Sequence, residues 1–287
     1  MIRSLHEATG QSIRLICDTL EVPRSSYYHA ATPTARSCGD QELGEIIERI
    51  FHEHRRRYGY RRLWKELDAS GHTCSPDRVR RLMAERGLHA IQPRTYVPRT
   101  SDGRADAPSP NLLVDQRPPV APDRVWLGDL TFIPTQQGWL YLAVVIDLCS
   151  RRIVGWALAD HMRADLVTVA LRQALTTRRP APGLIFHSDR GSQYGSKMFR
   201  TLLNAHGLRQ SMSARANPYH NAWCESTIGR LKAEMLQDGC FIDRADALTE
   251  LFSYIEGYYN THRRHSSLDY QSPASFEASF HSLHSNN

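Results

Sequence analysis

Three acids stand on three separated stretches of this chain, each in a setting that can present a carboxylate. Asp129 interrupts the apolar run Val125-Trp126-Leu127-Gly128-Asp129-Leu130-Thr131-Phe132-Ile133, which reads as a strand. Asp189 ends Leu184-Ile185-Phe186-His187-Ser188-Asp189, a second short strand. Glu225 follows a turn at Asn217-Pro218 and opens a helix for which Asn221 is a suitable cap. Trp223, Ile228, Leu231 and Met235 give that helix an apolar stripe, and Lys232, seven residues after Glu225, shares the face of the acid. Carboxylates gathered at one point repel, and a hard divalent cation relieves the repulsion. Two Mg²⁺ ions about 3.5–4 Å apart can activate a nucleophile and stabilise a leaving oxygen in an in-line phosphoryl transfer. Taken singly, Glu225 and Lys232 are equally an ordinary pair of surface charges on a helix.

The elements around these acids decide whether they can meet. After Asp129, Gln136-Gln137-Gly138 is a turn, and Trp139 to Asp147 is a long apolar strand. Arg152-Ile153-Val154-Gly155-Trp156-Ala157-Leu158 is a third strand; the short connections imply an antiparallel meander. A helix is expected over Ala164–Thr177, and the strand bearing Asp189 comes fourth. A helix over Ser196–His206, a short strand over Arg209–Ser213, the Glu225 helix and a last long helix from about Asp243 to Tyr259 complete the series. This order is that of an α/β, ribonuclease-H-like mixed five-stranded sheet flanked by helices. In it the first and fourth strands are neighbours, and the later helix crosses their ends.

The first third of the chain is all-α and basic. Residues 1–35 read as a short helical arm with a possible helix-turn-helix, its helix over 12–20 broken at Val22-Pro23. Residues 31–40 form a polar linker, and a helix runs from Asp40 through Ile46, Ile47, Ile50 and Phe51. Ser75-Pro76-Asp77 is a helix start with a cap, a proline in the first turn and an acid at the positive dipole end; Gly87 stops that helix. Between Arg55 and Arg86 there are 10 Lys and Arg against 4 Asp and Glu, so residues 40–92 are expected to be a helix-turn-helix DNA-binding domain. Arg57, Arg61, Arg62, Arg78 and Arg81 are its candidate phosphate or base contacts. The competing reading is a basic helical hairpin that only packs against its neighbour. Residues 93–120 form a Pro-rich linker, and 121–280 the α/β domain with C-terminal helices.

Composition narrows the choice of partner. Across 287 residues the formal charge is +6, and residues 1–100 hold 17 Lys and Arg against 12 Asp and Glu, which favours a polyanion over an acidic-surface partner. The six cysteines are scattered without a Cys-x-x-Cys pair, so neither a zinc module nor a disulfide framework is expected. No apolar run reaches membrane-spanning length, and no leader is expected; a bacterial cytoplasmic, nucleoid-associated setting fits.

Together, Trp126-x-x-Asp129-x-Thr131, the run His187-Ser188-Asp189-Arg190-Gly191-Ser192-Gln193-Tyr194, and Asn217-Pro218-x-x-Asn221-Ala222-x-x-Glu225 resemble the DDE transposases of insertion sequences. The second-frame product of the insertion-sequence-three family is the nearest pattern, and thirty-five residues separate Asp189 from Glu225, as is typical there and in retroviral integrases. The stretches Arg57-Tyr58-Gly59-Tyr60-Arg61-Arg62 and Arg80-Arg81-Leu82-Met83 resemble the family's helix-turn-helix segment. Tyr259-Asn260-x-x-Arg263-x-His265-x-x-Leu268 and Ser272-Pro273 resemble its C-terminal signature. The resemblance implies Asp129, Asp189 and Glu225 as catalytic ligands of Mg²⁺ or Mn²⁺, two ions per site, and Lys232 as a DNA contact. It implies cleavage at terminal inverted repeats and attack by the freed 3′-hydroxyl on target DNA. It further implies a homo-oligomer and a possible frameshift fusion with an upstream first-frame product. Two departures stand out: His220 where relatives commonly carry Asp, and Gly229 inside the helix after Glu225.

Other groups invite both functional and structural readings. Gln193, Tyr194 and Arg263 are candidate DNA contacts, although Arg263 could equally cap the last helix. Asp147 is the best decoy for the first acid, with a turn role favoured by Leu148-Cys149-Ser150-Arg151-Arg152. His187 is expected on the opposite sheet face from Asp189, in a structural role. Trp126 and Trp223 are expected in the core. Against strand transfer stand two other functions: a DNA-binding regulator on an inactive version of the fold, which four intact candidate residues disfavour, and a nuclease such as a junction resolvase.

Overall fold

The computed structural model describes residues 1–24, 27, 35–92, 108–114, 116–213, 222–236 and 239–284; for residues 3, 35–38 and 222–226 only the backbone is described. The chain divides into two compact units, 1–90 and 91–287.

In the first unit, α1 (Ile2–Thr9) and α2 (Ile13–Thr19) precede α3 (Ala35–Glu53), α4 (Tyr60–Ala69) and α5 (Pro76–Glu85). Leu43, Ile47, Ile50 and Phe51, spaced for one helix face, meet Leu63, Leu67, Val79 and Leu82 in a core. Ser75 caps α5 by accepting from the Arg78 amide at 3.2 Å, and Gly87 closes it at φ 64°, a conformation that glycine adopts without a Cβ clash. The polar stretch 31–40 is not wholly a linker: α3 begins at Ala35. Tertiary ties override its composition. Asp40 in the early part of α3 accepts from Arg78 at 2.7 Å and Arg81 at 2.6 Å, and Glu48 further along accepts from Arg86 at 3.0 Å. Gly44 leaves room for the Arg86 guanidinium that crosses the helix; a Cβ there would make that side chain shift.

The second unit is built on a five-stranded sheet in the order β3-β2-β1-β4-β5. The strands are β1 (Val125–Thr135), β2 (Gly138–Asp147), β3 (Ile153–Ala159), β4 (Ile185–Ser188) and β5 (Arg209–Met212). The first three form the antiparallel meander; β4 joins β1 in parallel and β5 joins β4 in parallel. Alternation along β1 separates two cores. Trp126 and Leu130 face α6 (Ala164–Arg178), the short α7 (Ser192–Gly195) and α8 (Lys197–Ala205). Val125, Leu127 and Ile133 face α9 (Ala222–Leu236), α10 (Arg244–Phe252) and the π-helical turn Ser253–Tyr259 that prolongs α10. The last long helix thus starts at Arg244, where Asp243 accepts from the Asp246 amide at 2.9 Å, and changes its pitch rather than ending at Phe252.

Helix α6 lies unusually close to β3. A Cβ at Gly155 would overlap the Ala170 carbonyl and come within 2.9 Å of the Ala174 side chain and backbone. Backbone cannot swing aside as a flexible side chain can. Gly155→Ala is therefore expected to cost about 1–3 kcal/mol, measured as a lower urea midpoint with an unchanged slope.

The C-terminal segment closes the unit. The Asn260 carboxamide accepts from the Ile153 amide and donates to the Ile153 carbonyl, both at 3.0 Å. A final helix, α11 (Pro273–His284), brings Glu277 onto Arg178 of α6 and Arg152 before β3. No described helix is long and apolar enough to cross a membrane.

Candidate active site

Asp129 lies mid-strand on β1, opposite Val144. Its odd position puts it on the face shared with Val125, Leu127 and helix α9. It is buried, and its Oδ1 accepts from the Leu130 amide at 2.8 Å. In the parallel pairing, Val125 faces Ile185 and Leu127 faces His187. The pairing ends there: Asp129 and Asp189 each lie two residues further along, Asp129 still within β1 and Asp189 just past β4. Asp189 is half-buried just past the end of β4, where its Oδ1 accepts from the Gly191 amide at 2.9 Å. Glycine serves this tight return: a Cβ at 191 would stand 3.1 Å from Asp189 Oδ1 and 2.8 Å from the Gln193 amide oxygen.

The third side of the site is α9. Ile228 and Leu231 seat it in the core with Leu127 and Ile255. Lys232 is half-buried, and two opposing forces act on its ammonium. Burial pushes its pKa down and the nearby charge of Asp129 pushes it up, with burial the stronger. Glu225 lies on the same helix two turns earlier; its side chain, like those of Ala222 and Trp223, is outside the described residues, as are Asn217, Pro218, His220 and Asn221. Among the described residues no group of three His, Cys, Asp or Glu gathers to hold a metal, and Glu225 is not in that set. Gly229 is not demanded by packing, since a Cβ there would meet nothing within 4 Å.

Asp147 is a turn residue. It faces the Trp126 side of the sheet, and its fully buried carboxylate accepts from the amides of Cys149, Ser150 and Asp123 at 2.7–2.9 Å. Burial raises its pKa, and the bonds from Ser150 and Asp123 offset only part of that. Trp126 is in the core, as expected, with Nε1 donating to Asp123 at 3.0 Å.

Several sequence expectations are corrected. His187 is not set on the opposite face by alternation, since residues two apart point the same way; its register with Leu127 puts it on the Asp129 face of the sheet. Its structural role stands, with Nδ1 2.8 Å from Ser211 Oγ. Tyr194 packs in the core against Phe186 and Phe199 and presents no face to DNA. Gln193 is half-buried, its side chain donating to the Met162 carbonyl at 2.9 Å. Arg263 is buried and forked onto Glu234, not turned to solvent. Arg57 is likewise buried, and Arg62 lies over the Tyr58 ring while donating to the Arg57 carbonyl. Arg78 and Arg81 are spent on Asp40, whose carboxyl they hold below the usual range, Arg81 contributing most. Of the five arginines expected to meet DNA, Arg61 is the exposed one. Sequence reasoning missed the Glu234 partner of Arg263 and the Asp123–Arg178–Glu277 network. Nothing in the local spacing marks either, because their members are 29 to 99 residues apart.

Family models match this chain in three places: an HTH-like domain over residues 39–96 and an integrase core domain over 119–218 and again over 206–273. The transposase for insertion sequence element IS904 of Lactococcus lactis is 44% identical over 245 residues, covering 85% of this chain and 97% of that protein. The chain belongs to the IS3 family of insertion-sequence transposases. Transposase InsF for insertion sequence IS3A of Escherichia coli K12 is 37% identical, with 93% of this chain and 94% of InsF covered. An uncharacterized 31 kDa protein of insertion element IS600 from Shigella sonnei is 40% identical over 93% of this chain and 99% of its own length. Among solved structures, a chain of the simian T-cell lymphotropic virus intasome aligns over 72% of this chain and 68% of its own length, at 18% identity and a TM-score of 0.46. The transposase therefore carries a DDE-type polynucleotidyl transferase core of the ribonuclease-H-like class, preceded by a DNA-binding helical region, and its function is DNA transposition.

Proposed function

We propose that the transposase cuts the DNA at its element's terminal inverted repeats and joins the freed 3′-hydroxyl to a target phosphodiester, using Asp129, Asp189 and Glu225 as its catalytic acids. The observation that supports this reading is the parallel β1–β4 pairing, which brings together the two strands that lead to Asp129 and Asp189, with α9 packed against the Val125–Leu127 face of β1 and the charge of Asp129 acting on Lys232. The donor set fits a hard divalent cation: two carboxylates, one on a strand and one just past a strand end, each already oriented by a backbone amide. Asp129 and Asp189 would hold Mg²⁺ or Mn²⁺, two ions with Glu225 completing the set, and the metal would supply Lewis-acid stabilisation of the phosphoryl oxygens. Asp129 is fixed by its strand and its Leu130 bond, so it would be the more rigid ligand; Asp189, at a strand end, has more room to adapt. Lys232 would take a DNA phosphate near the reacting end. Its half-buried ammonium strengthens that attraction by excluding water.

In the DNA-binding domain, taken as 40–92, exposed Arg61, Arg55, Arg56 and Arg80 would supply phosphate contacts. The catalytic domain is taken as 121–280. Synapsis of two element ends calls for a homo-oligomer in the bacterial cytoplasm, on the nucleoid, with a frameshift fusion to an upstream product as its possible active form. The experiment is a strand-transfer assay with labelled inverted-repeat DNA and Mg²⁺ or Mn²⁺. Metal-dependent cleavage followed by joined products is expected. Cleavage that never yields joined products would favour a nuclease and sink the reading.

A further inference from the structure

Glu234 is a buried acid that the chemistry above does not use. It stands on α9 with 4% of its surface exposed. Arg263, 2% exposed, grips it with a fork: Nη2 to Oε1 at 2.6 Å and Nε to Oε2 at 2.8 Å. The Tyr254 hydroxyl donates to Oε2 at 2.7 Å, and the guanidinium also lies 5.5 Å over the Tyr259 ring and 3.2 Å from His265 Nε2. The cluster thus joins the helix bearing Glu225 and Lys232 to the π-helical turn and the loop after it.

Burying such a pair is costly, and apolar side chains of similar volume often hold two segments together equally well. What the fork adds to Ile228 and Leu231 is direction. Apolar contact is non-directional, whereas a bidentate arginine–carboxylate bond tolerates little sliding or rotation. At about 100° per residue, positions 225 and 234 are half a turn apart on the helix circumference, and 232 is about 20° from 225. Rotating the helix by about 20° moves a group roughly 5–6 Å from its axis by about 2 Å. A misplacement of about 1 Å can cost a hundredfold in rate.

We propose that Glu234 and Arg263 are positioning residues that set the rotation of α9 and thereby bring positions 225 and 232 to the Asp129–Asp189 edge. The inference rests on the reading of Asp129, Asp189 and Glu225 as metal-holding acids. Tyr254 completes the device by fixing the oxygen that Arg263 Nε also holds.

The test uses the full chain and two readouts: Mn²⁺ affinity by water-proton relaxation, and amide hydrogen exchange over residues 227–232. Arg263→Lys keeps the charge and loses the fork. The double variant Glu234→Leu with Arg263→Met removes both charges and keeps apolar packing. Both are expected to bind Mn²⁺ about tenfold more weakly and to exchange faster over 227–232. Glu277→Gln, which weakens an ion pair elsewhere in the unit, is expected to change neither. Wild-type affinity and wild-type protection in the two fork variants would overturn the proposal. Asp129→Asn separates it from the site reading: if that variant binds Mn²⁺ as wild type does, the metal site is elsewhere, and exchange over 227–232 still decides what the fork does.

Discussion

Replacing Asp129 by asparagine is expected to lower both DNA cleavage and strand transfer by at least about a thousandfold, while the protein stays folded and still binds end DNA. The substitution is nearly isosteric. The hydrogen bond from the Leu130 amide can be taken by the asparagine oxygen. What is lost is the negative charge, the property on which metal holding depends. The informative companion is Asp147→Asn. Asp147 receives N–H groups at both oxygens: Cys149 and Ser150 at Oδ1, Asp123 at Oδ2. An asparagine must turn its NH₂ group toward one of them. That leaves a donor facing a donor in a fully buried site, a cost of about 1–3 kcal/mol. The two variants should therefore separate cleanly. Asp129→Asn loses turnover with its melting temperature kept; Asp147→Asn loses stability and keeps turnover per folded molecule. Single-turnover cleavage and thermal melts on the same preparations measure both. Residual activity within tenfold of wild type in Asp129→Asn would remove this acid from the site.

Removing Arg178 should produce the largest loss of stability. Its guanidinium lies between Asp123, at 2.8 Å, and Glu277, at 2.7 Å, with its own side chain 11% exposed and that of Glu277 4% exposed. Arg178→Met keeps most of the stem and removes the charge. Glu277 then stays buried with Arg152 alone, at 2.7 Å, as its cation. Breaking a buried pair from one side costs about 3–5 kcal/mol, and the remaining Arg152 places the expected loss near the lower bound, about 3 kcal/mol. Acid titration gives a second signature. Burial pushes the Glu277 carboxyl up, but the hydrogen bond and charge of Arg178, with help from Ser150 and Arg152, outweigh it, so its pKa lies below the ordinary 4.5. A carboxyl lowered on folding stabilises the fold fully above its unfolded value and ceases to do so as pH falls through its folded value. The wild-type protein should therefore lose stability below about pH 4.5, and Arg178→Met should lose less over the same range. Asp147, raised by burial, acts in the opposite sense and is common to both proteins. Urea unfolding at pH 7, 5, 4 and 3, as rough set points, checks both claims. Equal midpoints for the two proteins at pH 7 would show that the network contributes nothing.

By itself the sequence determined the architecture and which acids to watch. Near-continuous apolar runs marked the first four strands to within about two residues, because a strand buried on both faces leaves few polar positions. Asp129 was visible for the same reason, as a charge in a run where charge is costly. Asp189 was visible at the point where such a run stops. Ser75-Pro76-Asp77 and Gly87 marked the ends of α5 through purely local backbone chemistry.

Only the tertiary structure decided the fate of the basic residues and the exact start of α3. Composition shows that Arg57, Arg78, Arg81 and Arg263 carry charge. It does not show that Asp40 and Glu234 wait for three of them, because a salt bridge is specified by where two distant segments meet, and neither partner bears a mark of the other. Tyr194 is the same lesson in apolar form: a tyrosine after a strand end can reach substrate or fill a core, and the Phe186 and Phe199 rings that claim it lie on elements whose approach local spacing does not record. The sequence thus placed Asp129 on its strand and Asp189 at the end of another, and only the three-dimensional pairing made β1 and β4 parallel neighbours, because strand partners are chosen by segments 60 residues apart.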